Sequence, residues 1–123
     1  MTIRLVDHIN VQTHRLEETR DFYVEILGLT EGYRPELGFP GYWLYAGDRA
    51  VVHMQEAKGP VGPSTACALN HAAFEVSEID PLLARLEARG IPYDARDVPG
   101  TTIRQAFFLD PNGVRLEFNC PPR

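Results

Sequence analysis

The chain carries an internal repeat, and this repeat constrains its fold more than any other feature. His8 and His71 lie 63 positions apart, each near the start of one half of the chain. His53 and Glu117, which are 64 positions apart, occur near the ends of the same two halves. Each half therefore carries two side chains of metal-binding types, 45 residues apart in the first half and 46 in the second. Such self-similarity predicts one structural module that occurs twice.

Each half also contains a segment with helical periodicity that ends at a glycine. In the first half, apolar residues recur at helical intervals over residues 15–27, and Gly28 follows. In the second half, Asp80 is predicted to cap a helix and Pro81 to occupy its first position, with three leucines on one face before Gly90. Glycine favours the left-handed conformation that commonly ends a helix.

The first strand of each half is predicted from the alternation of apolar and polar side chains. Apolar residues occupy alternate positions over much of residues 4–12 and again in residues 71–76. The histidine of each half, His8 or His71, falls on the opposite face. Each histidine is therefore expected on the side of the sheet away from the helix, where it would line a concavity if the sheet curls.

A hairpin is predicted at the end of each half. Its strands and turns are residues 42–46 and 49–55 around Gly47-Asp48, and residues 105–109 and 114–119 around Asp110-Pro111-Asn112-Gly113. His53 and Glu117 are each flanked by two apolar residues, which point to the opposite face. Both candidate ligands are therefore expected to leave the packed face of the sheet.

The segment between the halves contains Gly59-Pro60 and Gly62-Pro63, which interrupt regular structure. We therefore expect a first module at about residues 1–57, a linker at about 58–67 and a second module at about 68–123. With 123 residues and 13.8 kDa in all, each half would bury little core alone. One domain spanning residues 1–123 is predicted.

The composition restricts the class of partner. A net charge of −5 and a pI near 5.3 disfavour nucleic acid and anionic membranes, so a small molecule is the expected partner. The first residues lack the apolar core of a signal peptide, and no apolar run approaches the ~18 residues of a membrane span. Cys67 and Cys120 form no Cys-x-x-Cys motif and are expected to be reduced thiols. A cytoplasmic location is expected.

Four residues are candidate metal ligands. Imidazole and carboxylate groups bind zinc, nickel, manganese and iron(II). A single strand histidine is more often structural, but the equivalent placement of His8 and His71 favours a shared site with Glu117. These three supply a 2-His-1-carboxylate set. His53 is expected either as a fourth ligand or beside the ligands as an acid or base.

Several polar residues are candidates for substrate binding. Those predicted to face the same cavity are Asn10, Tyr45, Arg104 and Arg115, with Gln105 and Asn119 as further polar neighbours. Trp43 is interpreted as a packing residue, because no glycine-rich phosphate loop accompanies it. Nucleotide binding is not predicted.

At four places the sequence resembles the vicinal oxygen chelate superfamily. These places are His8, the segment FYVEILGL at residues 22–29, Asn70-His71, and FFLDPNGVRLE at residues 107–117. The superfamily includes glyoxalase I, extradiol dioxygenases, fosfomycin thiol transferases and bleomycin resistance proteins. The resemblance implies an α+β fold, in which two βαβββ modules form a curved eight-stranded mixed sheet around a central cavity.

The resemblance also implies one divalent metal ion per site, which coordinates two neighbouring oxygens of the substrate. His8, His71 and Glu117 fall on ligand positions of the superfamily. His53 stands where glyoxalase I usually has a glutamate ligand, which weighs against a plain glyoxalase I. Asn10 stands where fosfomycin thiol transferases usually have a threonine, which lowers the rank of that subclass.

The expected function is a glyoxalase-like isomerase or lyase that works through a metal-chelated enediolate, with Glu117 and His53 as catalytic residues. The alternatives are an extradiol-type dioxygenase with iron(II), a thiol transferase, and a metal-free protein that sequesters a small molecule. A homodimer is expected, because the linker permits module exchange and a sheet edge must be covered. The site then forms within one chain or across the dimer.

Overall fold

A computed structural model describes residues 2–122, which form eight strands and two α-helices. The ends of the two predicted modules, Met1 and Arg123, lie outside the described residues. The chain divides into two compact units, with the boundary between Val61 and Gly62. In the described part of the chain, no helix is both long and apolar enough to cross a membrane.

Each unit follows the order strand, helix, three strands. The elements are β1 (Ile9–Thr13), α1 (Leu16–Glu25), β2 (Thr30–Gly32), β3 (Gly41–Ala46), β4 (Arg49–Glu56), a 3-10 helix (Ser64–Ala66), β5 (His71–Glu75), α2 (Asp80–Ala88), β6 (Asp94–Asp97), β7 (Arg104–Leu109) and β8 (Arg115–Cys120). The predicted α+β class and its βαβββ modules are confirmed. Polar alternation alone did not reveal β2 and β6, because both are short and every residue in them is exposed.

The eight strands pair as two four-stranded mixed sheets with the same internal order. The first sheet has the order β1-β4-β3-β2 and the second β5-β8-β7-β6. In each sheet the first strand of the unit runs parallel to the last, and the other pairs are antiparallel. In the first sheet, β4 with His53 therefore lies next to β1, which follows His8. In the second, β8 with Glu117 lies next to β5, which begins with His71.

Alternate residues of the central strands and apolar residues of the helical segments form the core of each unit. The most buried side chains of the first unit are Tyr23, Ile26, Leu44, Val52 and Met54, and those of the second are Leu86, Ala106, Leu116 and Phe118. His53 and Glu117 lie between pairs of these apolar residues in sequence, as the alternation predicted. Truncating one large core side chain, such as Phe118 to alanine, typically costs about 3–5 kcal/mol of stability.

Helix α1 (Leu16–Glu25) is slightly shorter than the predicted residues 15–27, and α2 begins differently from the prediction. Gly28 and Gly90 follow the helices with φ of 75° and 66°, in the left-handed region. Asp80, however, is the first helical residue and not the cap, and Ile79 takes the capping position without a side-chain hydrogen bond. The Asp80 carboxylate instead accepts a hydrogen bond from Arg104 NH1 at 3.0 Å.

Strand β1 is shorter than the alternation in residues 4–12 predicted. It begins at Ile9, which pairs with Val52 of β4, and residues 2–7 are exposed. Strand β4 extends only a few residues before Val52 and then enters the turn at Gly47-Asp48. His8 therefore stands just before the strand.

Candidate metal centre

In the second unit, a histidine and a carboxylate face each other across neighbouring strands. His71 pairs in register with Arg115, two residues before Glu117, so the two side chains are diagonal neighbours on one face. His71 Nε2 lies 3.2 Å from Glu117 Oε1. Glu117 is buried, with 5% of its surface exposed, whereas His71 is one-third exposed at its side chain. The pair thus has one sheltered member and one that solvent can reach.

Gln105 holds the carboxylate from the other side. It lies on β7, and its Nε2 donates to Glu117 Oε2 at 2.9 Å and to Asn119 Oδ1 at 3.3 Å. Phe107, which pairs with Glu117 in register, meets the His71 ring edge to face at 5.7 Å. Oε2 is therefore engaged by an amide donor, and Oε1 is the oxygen directed at His71.

The residue before His71 contacts the other nitrogen of its ring. His71 Nδ1 lies 2.9 Å from Asn70 Oδ1, which also accepts a hydrogen bond from Arg115 NH1 at 3.2 Å. If the ring is neutral and donates from Nδ1, its Nε2 has a lone pair that faces a lone pair of Glu117 Oε1. Two acceptors at this distance repel each other unless a cation lies between them.

A divalent cation fits this donor pair. Zinc bonds to imidazole nitrogen and carboxylate oxygen at about 2.0–2.2 Å, and two such bonds to donors 3.2 Å apart subtend roughly 100°. That angle lies between those of octahedral and tetrahedral coordination. His71 and Glu117 are thus chemically and geometrically suited to share one metal ion.

The first unit places two histidines and a tryptophan in a stack. The His53 ring lies between those of His8 and Trp43, with centroids 3.7 Å and 3.9 Å away and interplanar angles of 12° and 10°. This follows from the sheet order, because β4 runs between β1 and β3. As placed, the parallel rings of His8 and His53 cannot both direct in-plane lone pairs at one cation. The pair offers a cation one imidazole donor.

Burial lowers the pKa of His53 below its ordinary value of 6.5, and the positive charge that His8 can carry lowers it further. A hydrogen bond with the Ala50 backbone opposes this shift. His53 is therefore mainly neutral at pH 7. Beside it, Asp7 Oδ2 lies 2.7 Å from His8 Nδ1, and this hydrogen bond lowers the pKa of Asp7 below 3.8.

The four predicted ligands thus occur as two pairs, His8 with His53 and His71 with Glu117. Among residues 2–122, no three or more histidine, cysteine or acidic side chains are grouped closely enough to hold a metal ion. An open cavity of about 390 Å³ lies beside His53 and Trp43 in the first unit. Another, of about 410 Å³, lies beside Phe107 and Arg115 in the second.

Two of the predicted substrate residues lie in the first unit. Asn10 pairs with His53 in register, and its Nδ2 donates to Gln55 Oε1 at 3.2 Å. Asn10 is exposed and close to the histidine stack. The Tyr45 hydroxyl donates to the Tyr33 carbonyl at 2.6 Å, so it is used within the unit.

The other two substrate candidates lie on opposite faces of the second sheet. Arg115 shares the face of Glu117, and its guanidinium stacks on the Phe107 ring at 4.2 Å. Arg104 alternates with Gln105 along β7 and forms an ion pair with Asp80 at the start of α2. The structure thus keeps Arg115 near the candidate site and puts Arg104 away from it, because neighbouring residues of a strand point to opposite faces.

Sequence reasoning missed the contacts of Asp7 and Asn70. Both residues immediately precede a repeat-equivalent histidine, so aligning the two halves at His8 and His71 would have singled them out. Trp43 was interpreted as a packing residue, and its stacking on His53 agrees with that interpretation.

A family model described as the Glyoxalase/Bleomycin resistance protein/Dioxygenase superfamily matches residues 5–118 of the chain. Among curated proteins, Glyoxylase I 4 of Arabidopsis thaliana is 32% identical, and the match covers 94% of this chain and 70% of that protein. The uncharacterized protein YaeR of Escherichia coli K12 is 33% identical, covering 94% of this chain and 95% of YaeR.

Among solved structures, the glyoxalase family protein from Enterococcus faecalis is 30% identical and superposes with a TM-score of 0.72. The match covers 97% of this chain and 99% of the other. The similarity thus extends through both βαβββ modules.

Proposed function

Because the chain belongs to the glyoxalase/bleomycin resistance protein/dioxygenase superfamily, we propose that it is a divalent-metal-dependent enzyme of glyoxalase type. Its substrate in this proposal is a small, oxygen-rich molecule. The observation that carries the proposal is the His71–Glu117 pair, with Nε2 and Oε1 3.2 Å apart on a largely buried carboxylate. A buried carboxylate needs a positive partner, and a metal ion supplies one.

The proposed ligands are His71, Glu117 and His8, which together make a 2-His-1-carboxylate set. His53 is a fourth ligand or a neighbouring acid or base. The ligands come from one chain or from two copies of it. Nickel, zinc, manganese and iron(II) all accept imidazole and carboxylate donors, so each is a candidate for the metal.

In this proposal, Glu117, Gln105 and His53 have different roles in moving the substrate proton. A divalent cation supplies Lewis-acid polarisation of two adjacent substrate oxygens when it is bound. Glu117 takes a proton from the carbon beside the polarised carbonyl and returns it to the neighbouring carbon. Gln105 keeps the carboxylate oriented through its bond to Oε2. His53, neutral at pH 7 because of its lowered pKa, accepts or relays a proton.

Metal reconstitution tests this proposal. Metal-free protein is loaded separately with nickel, zinc, manganese or iron(II), and metal content is measured beside turnover of a methylglyoxal and glutathione mixture. We expect about one metal per site and isomerisation of the hemithioacetal. Glu117→Gln should lose the metal, and Glu18→Gln, an exposed carboxylate on α1, is the matched control. Equal metal content in Glu117→Gln and the unmodified protein under limiting metal would contradict the ligand assignment.

The alternative is an extradiol-type dioxygenase that uses iron(II), and His53 is the observation that favours it. With a histidine at this position, the remaining three candidates match the ligand set of non-haem iron(II) oxygenases. The His53 ring then serves as an acid or base. Simple catechols under oxygen distinguish the two: iron-dependent oxygen uptake with ring cleavage, and no hemithioacetal turnover, would replace the first proposal with this one.

We also propose that the protein is a homodimer. Strands β1 and β5 are edge strands of their own sheets, and an uncovered edge invites pairing with another chain. The apolar side chains of Val6 and Leu69, just before these strands, are 85% and 81% exposed in the single chain. Light scattering at micromolar concentration tests this, and a monomeric mass would contradict it.

A further inference from the structure

The residue before each candidate histidine ligand accepts a hydrogen bond from the same ring nitrogen. In the first unit, His8 Nδ1 lies 2.7 Å from Asp7 Oδ2. In the second, His71 Nδ1 lies 2.9 Å from Asn70 Oδ1. Two different side chains thus make the same contact at equivalent positions of the repeat.

The chemistry of the partners sets the direction of both bonds. An ionised carboxylate can only accept, so His8 Nδ1 is the donor to Asp7 Oδ2. The orientation of the Asn70 amide follows from Arg115, because a guanidinium can only donate and its NH1 lies 3.2 Å from Oδ1. In both units, therefore, the histidine is the donor and Nδ1 bears the hydrogen.

We infer that Asp7 and Asn70 are positioning residues that fix His8 and His71 in the Nδ1–H tautomer. A neutral imidazole has a single N–H, so this tautomer leaves the lone pair on Nε2. In His71 that nitrogen is the one that faces Glu117 Oε1. The part of the inference that concerns a cation rests on the proposed function, since Nε2 is the donor that a metal would need. An acceptor on the far nitrogen also raises the basicity of a ligating imidazole.

The two positioning residues differ in how firmly they are held. The Asn70 carbonyl accepts from Ser64 Oγ at 2.6 Å, and Ser64 Oγ accepts from the Arg115 backbone N–H at 2.8 Å. Asn70 is thus tied to β8 through both its backbone and its amide. The Asp7 side chain is 76% exposed. We therefore expect Asn70 to have the larger influence on its histidine.

Nitrogen-15 NMR of the histidine rings in metal-free protein tests the inference directly. At alkaline pH, where imidazole is neutral, the shifts distinguish the protonated nitrogen from the bare one. The spectra are recorded in a Glu117→Ala background, because in metal-free protein the Glu117 carboxylate would compete for the ring proton at Nε2. In that background we expect His71 to be Nδ1–H when Asn70 is unchanged and in Asn70→Asp, which keeps an acceptor. Asn70→Ala should give a mixture of tautomers or the Nε2–H form. The control is Asn112→Ala, which removes an amide from the β7–β8 turn of the same unit.

The Asn70 and Asn112 variants, with Glu117 intact, are then compared in metal affinity by competition with a chelator. Losing a residue that orients a ligand typically weakens binding about 10–100-fold, and we expect this in Asn70→Ala but not in Asn70→Asp or Asn112→Ala. Pure Nδ1–H His71 in Asn70→Ala would overturn the inference, as would Nε2–H in the Glu117→Ala background with Asn70 unchanged. If the tautomers behave as expected but no variant binds metal, the proposed function fails and the positioning role stands. If metal binds but the His71 tautomer does not respond to Asn70, the positioning role fails and the proposed function stands.

Discussion

In the first module the last strand carries His53, stacked between two rings, whereas in the second it carries Glu117, which faces His71 across 3.2 Å. The order and direction of the strands around them are the same. His53 pairs with Trp43 on the neighbouring strand just as Glu117 pairs with Phe107. The difference therefore arises from side chains placed on one repeated frame.

The residue two positions before Phe107 or Trp43 explains much of this difference. In the second module it is Gln105, whose amide holds the Glu117 carboxylate. In the first it is Gly41, where a Cβ would lie 2.4 Å from the Met54 carbonyl oxygen. In the first module, therefore, the β3 backbone at Gly41 packs closely against Met54, at the position where the second module has the Gln105 amide donor. The second module orients a carboxylate, and the first stacks a half-buried imidazole between two rings.

The largest expected effect is loss of metal from the second module. Glu117→Gln and His71→Ala each remove one of the two facing donors, and we expect metal affinity to fall by more than the roughly 100-fold typical of residues that only support a ligand. Chelator competition measures this. If both variants bind metal as tightly as the unmodified protein, the contrast between the modules has no bearing on metal binding.

A smaller loss is expected when the support of the carboxylate is removed. Gln105→Leu keeps the size of the side chain but leaves Glu117 Oε2 without its amide donor. We expect metal affinity to fall by about 10–100-fold. Gln55→Leu is the comparison variant: it removes a half-buried amide from the equivalent face of the first sheet, where Gln55 Oε1 accepts from Asn10. Equal effects of the two substitutions would argue against a special role for Gln105.

Changes at His53 should have less effect on metal affinity than those at His71. His53→Ala removes a ring that, as placed, cannot share a cation with His8, so we expect a loss of about tenfold or less, below the range for ligand-supporting residues. His53→Glu gives the first module the carboxylate of the second and should raise metal content under limiting metal. A loss in His53→Ala as large as that in His71→Ala would show His53 to be a ligand.

The smallest expected effect is on the protonation of His53 in metal-free protein. Trp43→Ala exposes one face of the ring, and since burial is the main cause of its lowered pKa, the pKa should rise towards 6.5. An NMR titration measures this. Because the unfolded chain binds this proton more readily than the fold does, stability should decrease as pH falls from 6.5 to the lowered pKa, and less so in Trp43→Ala. An unchanged titration in Trp43→Ala would show that the stack does not shelter His53.

The sequence by itself determined a duplicated order of strand, helix and hairpin, the two helices with their terminal glycines and the strand faces of His53 and Glu117. These follow from periodicity, because alternation and helical spacing are local properties of the chain. It did not reveal β2 and β6, whose residues are all exposed and so carry no alternation. Nor did it reveal that Asp80 would pair with Arg104, although both were singled out for other roles.

Only the tertiary structure decided how the candidate side chains meet. The parallel pairing of β5 with β8 brings His71 to Glu117, and β7 beside them brings Gln105 to the same carboxylate. The equivalent strand order in the first module yields a ring stack, because the His53 ring lies between that of His8, just before β1, and that of Trp43 on β3. Spacing in sequence predicts which face a residue takes. Which atoms come within bonding distance depends on strand register and on the neighbours across the sheet, which no local pattern encodes.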